Sequence, residues 1–252
     1  MSSIPCFYLP PDAWGEEALL DAQETHHLTV LRWDTQHPIK CTDGQGRLGV
    51  FRILAVEKKQ TRLQRLEENY IPPSPNTAII ALALSKAVRR GFFMEKAVEL
   101  GAHAVWLWQG ENSQGKIEKH TIEAIKRQMI AGAKQCASAW VPHVSAFSTL
   151  PDLLTHCADI PNRIWPWEME KSSSPLSQEM ITKPGHTIYV IGPEGGFSNR
   201  ECAQLKEANF CRVSLGPLVL RCETAAVLCL GFHWLTIVGN QAPAKTIEGV
   251  TV

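Results

Sequence analysis

The sequence predicts an α/β protein, with a mainly parallel sheet preceded by a small β-barrel over residues 1–71. Three observations carry this. Beyond residue 72, apolar runs of strand length such as "TAIIALAL", "AVWLW" and "TIYVIG" alternate with helical patterns, as in a sheet whose successive strands are joined by helices. In the first seventy residues, apolar and polar residues instead alternate around "DGQG", a hairpin signal. Between the two patterns lies "NYIPPSPN", with three prolines in four positions, which neither a helix nor a central strand accepts. The expected domains are therefore residues 1–71, residues 72–240 and a tail, 241–252, with little to bury.

In the first part, "CFYLP" reads as a strand. "THHLTVLR" reads as a short helix with Thr25 as cap and Leu28 and Leu31 facing inward. The stretch from Ile39 to Glu67 reads as strands around the "DGQG" turn. In the second part, "TAIIALAL" is a strand and "RRGFFMEKAVELG" a helix with Gly101 in the stop position. "AVWLW" is a second buried strand, followed by a long amphipathic helix, "IEKHTIEAIKRQMIAGAKQC", and a short one, "TLPDLLTHC". "RIWPWE" is a candidate strand interrupted by Pro166, and "TIYVIG" is the clearest buried strand. Ser198 and Glu201 form a capping box opening the helix "SNRECAQLKEANF". "CRVSLG" is another strand, and a near-uniformly apolar final helix stops at Gly239. That helix must be covered on most sides, which points to a dimer.

The chain has 252 residues, 44% of them hydrophobic, enough for a sizeable core. Its 25 basic and 25 acidic side chains cancel, which argues against a simple polyanion-binding surface. The charges are uneven, however: residues 72–147 carry nine basic against five acidic groups, and each flank carries eight against ten. Lys86, Arg89, Arg90, Lys116, Lys119, Lys126, Arg127 and Lys134 thus mark either a polyanion face or ordinary solvated helix faces. The eight cysteines form no CxxC pair, and the start lacks an apolar signal region, so reduced thiols in a cytoplasmic protein are expected. No apolar run reaches the ~18 residues of a membrane span. His103, His120, His143 and His233 show no metal-ligand spacing with the cysteines, so no metal is expected.

Two loops that follow apolar strands stand out: "IGPEGGFS" and "LGPLVLRCETA". In open α/β sheets, ligands bind beyond the carboxyl ends of strands, where both loops fall. Glycines let backbone approach a ligand closely and proline limits the loop's freedom, which suits recognition of an adenine edge or ribose. Neither loop is a GxGxxG fingerprint or a Walker loop. Alone, "GPEGG" is either a tight turn or a site; two such loops at successive strand ends favour a site.

"IGPEGGFSNRE" followed by "SLGPLVLRCETAA" resembles the signature of the RsmE family, 16S rRNA methyltransferases of the SPOUT superfamily that modify N3 of a uracil. "LALSKAVRRGFFMEKAVELGA" and "HHLTVLR" resemble further elements of that family, so that the likeness covers roughly residues 7–238. It implies an N-terminal PUA-like barrel, a trefoil-knotted α/β domain, S-adenosylmethionine as cofactor, 16S rRNA of the small subunit as substrate, and a homodimer. By motif match it places the cofactor at Gly192, Pro193, Glu194, Gly195 and Gly196, at Leu215, Gly216, Pro217, Leu220 and Arg221, and near Leu84. Arg221 is the candidate stabiliser of the uracil anion, or else one half of a structural ion pair. Glu223 and Glu194 are candidate proton acceptors; Glu223 also fits as charge compensation for a helix N-terminus. Arg32, Lys86, Arg89, Arg90 and Lys134 are the candidate RNA contacts.

The chain departs from the family pattern on the expected RNA side. "GEN", residues 110–112, stands where Ser-Glu-Arg is usual. In "KQCASAWVP", Lys134 replaces an acid, and Ser138 and Trp140 stand where arginines are common; Leu218 replaces another arginine. Three readings remain open here: the same uridine met by other residues, another RNA site, and a non-catalytic RNA-binding protein on the same scaffold.

Overall fold

The computed structural model describes residues 4–84, 87–114, 116–167, 174–181 and 183–238; the side chains of residues 87–90, 119 and 238 are outside that description. The tail 241–252, Lys86 and the stop at Gly239 therefore lie outside the described residues, as do the side chains of Arg89 and Arg90. The chain divides into two units. Among the described residues, one comprises those up to 73 together with 130–141, and the other comprises 74–129 and 142–238.

The first unit is built on a five-stranded sheet. Its strands are β1 (Cys6–Tyr8), β2 (Glu17–Leu20), β3 (Ile39–Thr42), β4 (Arg47–Val56) and β5 (Thr61–Tyr70), in the order β1-β3-β4-β5-β2. Only β1 and β3 are parallel. The alternation in "GVFRIL" sends Phe51 and Ile53 inward beside Phe7, Leu20, Ile39 and Leu63, while Arg52 and Leu54 face out. Strand β2, "EALL", carries no turn signal of its own and was not expected from sequence; its pairing with β5 places Ala18 and Leu20 in the core.

Helix α1 (Ala22–Leu31) begins earlier than expected. Asp21, not Thr25, is the cap, accepting the Glu24 N–H at 2.8 Å. Thr25 is instead buried within the helix, its hydroxyl 3.1 Å from Thr61 Oγ1. Leu28 is buried as expected, but Leu31 is 45% exposed. Arg32 ends the helix in the left-handed region.

The "DGQG" turn is held by Asp43, whose carboxylate accepts from the Gln45 and Arg47 N–H groups and from Arg47 Nε at 2.6 Å. Residues 138–141 join this turn through backbone. The Gly46 N–H donates to the Ala139 carbonyl at 2.8 Å and the Val141 N–H to the Gly44 carbonyl at 3.0 Å. Here Lys134 meets Glu24, Nζ to Oε1 at 2.6 Å, with side chains 13% and 7% exposed.

The second unit carries a parallel six-stranded sheet. Its strands are β6 (Ala78–Ala83), β7 (Ala104–Trp108), β8 (His143–Phe147), β9 (Asn162–Pro166), β10 (Thr187–Ile191) and β11 (Cys211–Val213), in the order β11-β9-β10-β6-β7-β8. All its pairings are parallel. Pro166 ends β9 without breaking it, since Val213 still pairs beside it. Strand β8, "HVSAF", is an edge strand of mostly half-exposed residues, which explains why its sequence carries no apolar signal.

Helices α2 (Ala87–Glu99), α3 (Lys119–Cys136), α4 (Leu150–His156), α5 (Asn199–Glu207) and α6 (Cys222–Val238) complete the chain. One sheet face buries Ile79, Ala81, Trp106, Trp108, Ile188 and Val190 against Leu150, Leu153 and Leu205 of α4 and α5. On the sheet, α6 lies over β6 and β10 and packs against α2. Helix α2 ends as expected at Gly101, with the Gly101 and Ala102 N–H groups on the Val98 and Ala97 carbonyls. All eight cysteines are free thiols. Among the described residues no helix is long and apolar enough to cross a membrane, and no group of His, Cys, Asp and Glu could hold a metal ion.

At the amino ends of the strands three histidines cluster. The His103 ring stacks on His186 at 4.1 Å between centroids and meets His143 at 5.7 Å. Burial, and then the neighbouring His186 and His143, push His103 down to about 4.

Two outcomes follow for stability. Lys134→Met leaves a buried carboxylate without its partner, so urea unfolding should show a loss of about 3–5 kcal/mol. Combining it with Glu24→Gln should recover part of that. In the second unit, His103 stays neutral in the folded chain until about pH 4 but takes up a proton near 6.5 when unfolded. Stability is then full above about pH 6.5 and is lost as the pH falls toward 4. His103→Gln should flatten the fall of the urea midpoint across that window.

Candidate active site

A cleft of about 280 Å³ opens at the carboxyl ends of β9, β10 and β11, against the amino end of α6. Its walls are Pro166 and Trp167 at the end of β9, Ile191 to Glu194 with Gly196 and Phe197 at the end of β10 and beyond, and Ser214 to Gly216 with Leu218 to Cys222 after β11. Ala225 closes the helix side.

Residues 192–198 are folded by close approach. A Cβ on Gly192 would come within 2.6 Å of the Phe197 ring, and one on Gly195 within 2.8 Å of Asn112 Cβ. Either contact would force the loop to move, so glycine is required at both places. The Gly196 N–H closes a turn onto the Pro193 carbonyl at 2.9 Å. Phe197 is pinned from the core, stacked on Trp108 at 5.9 Å and edge-on to Trp165 at 5.6 Å. The expected capping box is present: Glu201 N–H donates to Ser198 Oγ at 3.1 Å, and Ser198 N–H to Glu201 Oε2 at 2.8 Å.

The loop after β7 braces this turn. Asn112 Nδ2 donates to the Gly196 carbonyl at 3.0 Å and the Gly195 carbonyl at 3.4 Å. The Glu111 N–H donates to the second oxygen of Glu201 at 2.9 Å. Residues 110–112, expected on the RNA side, therefore hold the glycine loop here.

In the second loop, Ser214 Oγ accepts the Gly216 N–H at 3.2 Å, forming a tight turn. Leu218 and Val219 are 76% and 79% exposed. The Arg221 carbonyl accepts the Ala225 N–H at 2.9 Å, so Arg221 caps α6 while the residue stays exposed. The first N–H groups of α6 have no acceptor within the helix and carry its positive dipole end toward the cleft. Glu223 is buried, and accepts the Cys222 thiol at 3.2 Å.

Of the residues expected at the cofactor, Gly192, Pro193, Glu194, Gly196, Leu215, Gly216, Leu220 and Arg221 line one cleft. Gly195 turns its carbonyl to Asn112, and Pro217 and Glu223 are not on the cleft wall. Leu84 is buried, its N–H on the Trp108 carbonyl, and does not line the cleft either. Lys134 is engaged with Glu24 in the first unit, and Arg32 is exposed there. Trp167, Phe197 and Ser214 on the wall, and Asn112 and Glu201 behind it, were not expected there. Phe197 and Ser214 stood within the two quoted motifs, Asn112 within "GEN" and Glu201 in the capping box, whereas Trp167 carried no signal of its own.

A family model described as an RNA methyltransferase domain matches residues 72–234. The ribosomal RNA small subunit methyltransferase E of Mycobacterium tuberculosis is 28% identical over 228 residues, which are 88% of this chain and 87% of the relative. The protein of the same name from Mesomycoplasma hyopneumoniae is 28% identical over 189 residues, 74% of this chain and 81% of the relative. Among solved structures, the Neisseria gonorrhoeae methyltransferase of that name, bound to S-adenosyl methionine, superposes with a TM-score of 0.81 at 26% identity, covering 93% of this chain and 98% of that one. A Legionella pneumophila putative methyltransferase in complex with the same cofactor gives 0.82 at 25% identity, with 92% and 97% covered. Matched along most of its α/β unit and aligned nearly end to end with these relatives, the chain belongs to the RNA methyltransferase domain family, in the group of the ribosomal RNA small subunit methyltransferases E.

Proposed function

We propose that the protein transfers a methyl group from S-adenosylmethionine to N3 of a uridine in 16S rRNA of the small ribosomal subunit. The observation that carries this reading is the cleft itself, formed by two Gly-Pro loops at neighbouring strand ends in a chain whose solved relatives bind that cofactor. Its volume is at the small end for a cofactor site, and its wall is largely backbone and apolar side chain. Leu220 and Phe197 offer apolar surface to an adenine ring, the amino end of α6 suits the cofactor's carboxylate, and Glu194 places a carboxylate on the same wall. These residues fit the group.

The cofactor supplies an electrophilic methyl on its sulfonium. The remaining chemistry falls to the chain. Uracil N3 carries a proton that must leave as the new bond forms. Arg221, at the cleft wall with its side chain exposed, stabilises the negative charge that then develops on the uracil oxygens. Glu194, on the same wall, accepts the proton; Glu223, buried in the first turn of α6, is the second candidate and also complements the helix dipole.

The same reading extends to the scaffold. The chain runs outward through β6, β7 and β8, crosses to β9, returns to β10 beside β6, and passes β9 again to β11. This return supports the trefoil-knotted SPOUT arrangement. The five-stranded first unit supports a PUA-like barrel for RNA, with the boundary at residues 71–72 and Arg32 among its contacts. Exposed Leu228, Trp234 and Leu235 on α6 and Phe92 on α2 support a homodimer. A second reading, methylation at another RNA site, is favoured by one observation: Asn112 and Lys134, at positions where the family departs, are both engaged within the protein.

The assay uses the purified chain, labelled S-adenosylmethionine, and small subunits from a strain lacking the uridine modification. Cofactor binding by calorimetry and one labelled 16S uridine are expected, with the site mapped by primer extension. No binding at millimolar cofactor would overturn the enzyme reading, and label at another nucleotide would establish the second one. Arg221→Ala should lower kcat by about 10²–10³ while leaving cofactor affinity within a few-fold. Equal losses in both would assign Arg221 a structural role.

A further inference from the structure

We propose that Asn112 is a positioning residue for the cofactor loop, acting with Glu201 as a two-point clasp between the loop after β7 and residues 192–198. This rests on the cofactor reading above and deepens it. The cleft wall after β10 turns on glycines, so its shape depends on what fixes the peptide planes, and two of those planes are fixed from outside the loop. Asn112 Nδ2 reaches the Gly196 carbonyl at 3.0 Å and the Gly195 carbonyl at 3.4 Å. One side-chain amide thus directs two consecutive carbonyls toward itself. Contact is close: a Cβ on Gly195 would sit 2.8 Å from Asn112 Cβ and 3.1 Å from the Asn112 carbonyl oxygen.

The second point is Glu201, which is 2% exposed. One of its oxygens accepts the Ser198 N–H at 2.8 Å and the other accepts the Glu111 N–H at 2.9 Å. A single buried carboxylate therefore caps α5 and grips the residue next to Asn112. The gripping segment is itself closed, since Ser113 Oγ accepts the Gly110 N–H at 3.0 Å and the Ser113 N–H donates to the Gly110 carbonyl at 3.1 Å. The loop that forms the wall is held at 195–196 by a donor and at 198 by an acceptor, both anchored on residues 110–113.

The chemistry of the donor makes this testable. Asn112→Asp keeps size and shape but sets a carboxylate against two carbonyl oxygens, so attraction becomes repulsion. Asn112 is exposed, so the change should leave the core intact. Asn112→Ala removes the donor without adding a charge and serves as the second variant.

Two measurements decide it. In the cofactor-free protein, hydrogen exchange across residues 193–198 should quicken by about tenfold in Asn112→Asp, and less in Asn112→Ala, with residues 47–70 unchanged. In binding and turnover, the dissociation constant for S-adenosylmethionine should rise by about tenfold or more in Asn112→Asp, while kcat at saturating cofactor changes less than threefold. Unchanged exchange would overturn the clasp. Faster exchange with unchanged affinity would overturn its role in positioning, as would a kcat loss without an affinity loss. If the unsubstituted protein binds no cofactor, the cofactor reading fails and the positioning role with it, while the exchange measurement still decides whether the clasp exists.

Discussion

The parallel pairing of β10 with β6 is the constraint on which the rest of the second unit depends. Strand β10 is paired along its whole length, from Thr187 beside Ala78 to Ile191 beside Leu82, although more than a hundred residues separate the two strands in sequence. Every residue of both strands is buried. Such strands are stable only when both faces are covered, and the helices flanking the sheet supply that cover. Once β10 is fixed at the centre, its carboxyl end can go only to the crevice where the strand order reverses, and the glycine loop follows from there. The cleft is therefore a consequence of topology first and of loop sequence second.

Within the loops, two physical strategies divide the work. Backbone and glycine shape the wall, because close approach to Phe197 and Asn112 leaves no room for a side chain at Gly192 or Gly195. Aromatic packing sets the wall's depth: Phe197 is caught between Trp108 and Trp165, and Trp108 Nε1 donates to the Ile191 carbonyl at 3.3 Å, tying the strand end to the same cluster. A loop rich in glycine would otherwise sample many conformations at a cost in binding. Anchoring it to a core aromatic and to a neighbouring loop offsets that entropy before any ligand arrives.

What the sequence made legible were the features written in side-chain periodicity or in local chemistry. The apolar runs at β6, β7 and β10, the Ser198–Glu201 capping box and the Gly101 stop all rest on interactions within a few residues, and a linear pattern records those. Strands β2 and β8 left no such record, because one is four residues long and the other is a half-exposed edge. Thr25 was misread as a cap because a threonine before an apolar run is a good cap signal; Asp21, four residues earlier, holds the N–H instead. The attachment of residues 138–141 to the "DGQG" turn was invisible for a stronger reason: it runs through the Gly46 and Val141 N–H groups and the Gly44 and Ala139 carbonyls, and peptide groups carry no residue identity. At the cleft the same distinction holds. The two Gly-Pro loops were readable as motifs, whereas Trp167 and Ser214 reach the wall only through the alignment of three strand ends.

The departures from the family pattern gain a physical meaning from these contacts. Lys134 stands where an acid is usual, and across from it is the nearly buried carboxylate of Glu24. An acid at position 134 would set two carboxylates together at low solvent exposure, so the sign of one residue constrains that of the other. Asn112 stands where an arginine is usual, and it lies against the Gly195–Gly196 carbonyls within the reach of a short amide. Both substitutions are thus compensated locally, one by charge and one by distance. A chain drifting without selection loses contacts at such positions and leaves polar groups unpaired. Here Lys134 and Asn112 each have a partner at hydrogen-bond length, and the loop that Asn112 holds keeps its glycines. That combination argues for a working cleft and against a scaffold that has lost its chemistry.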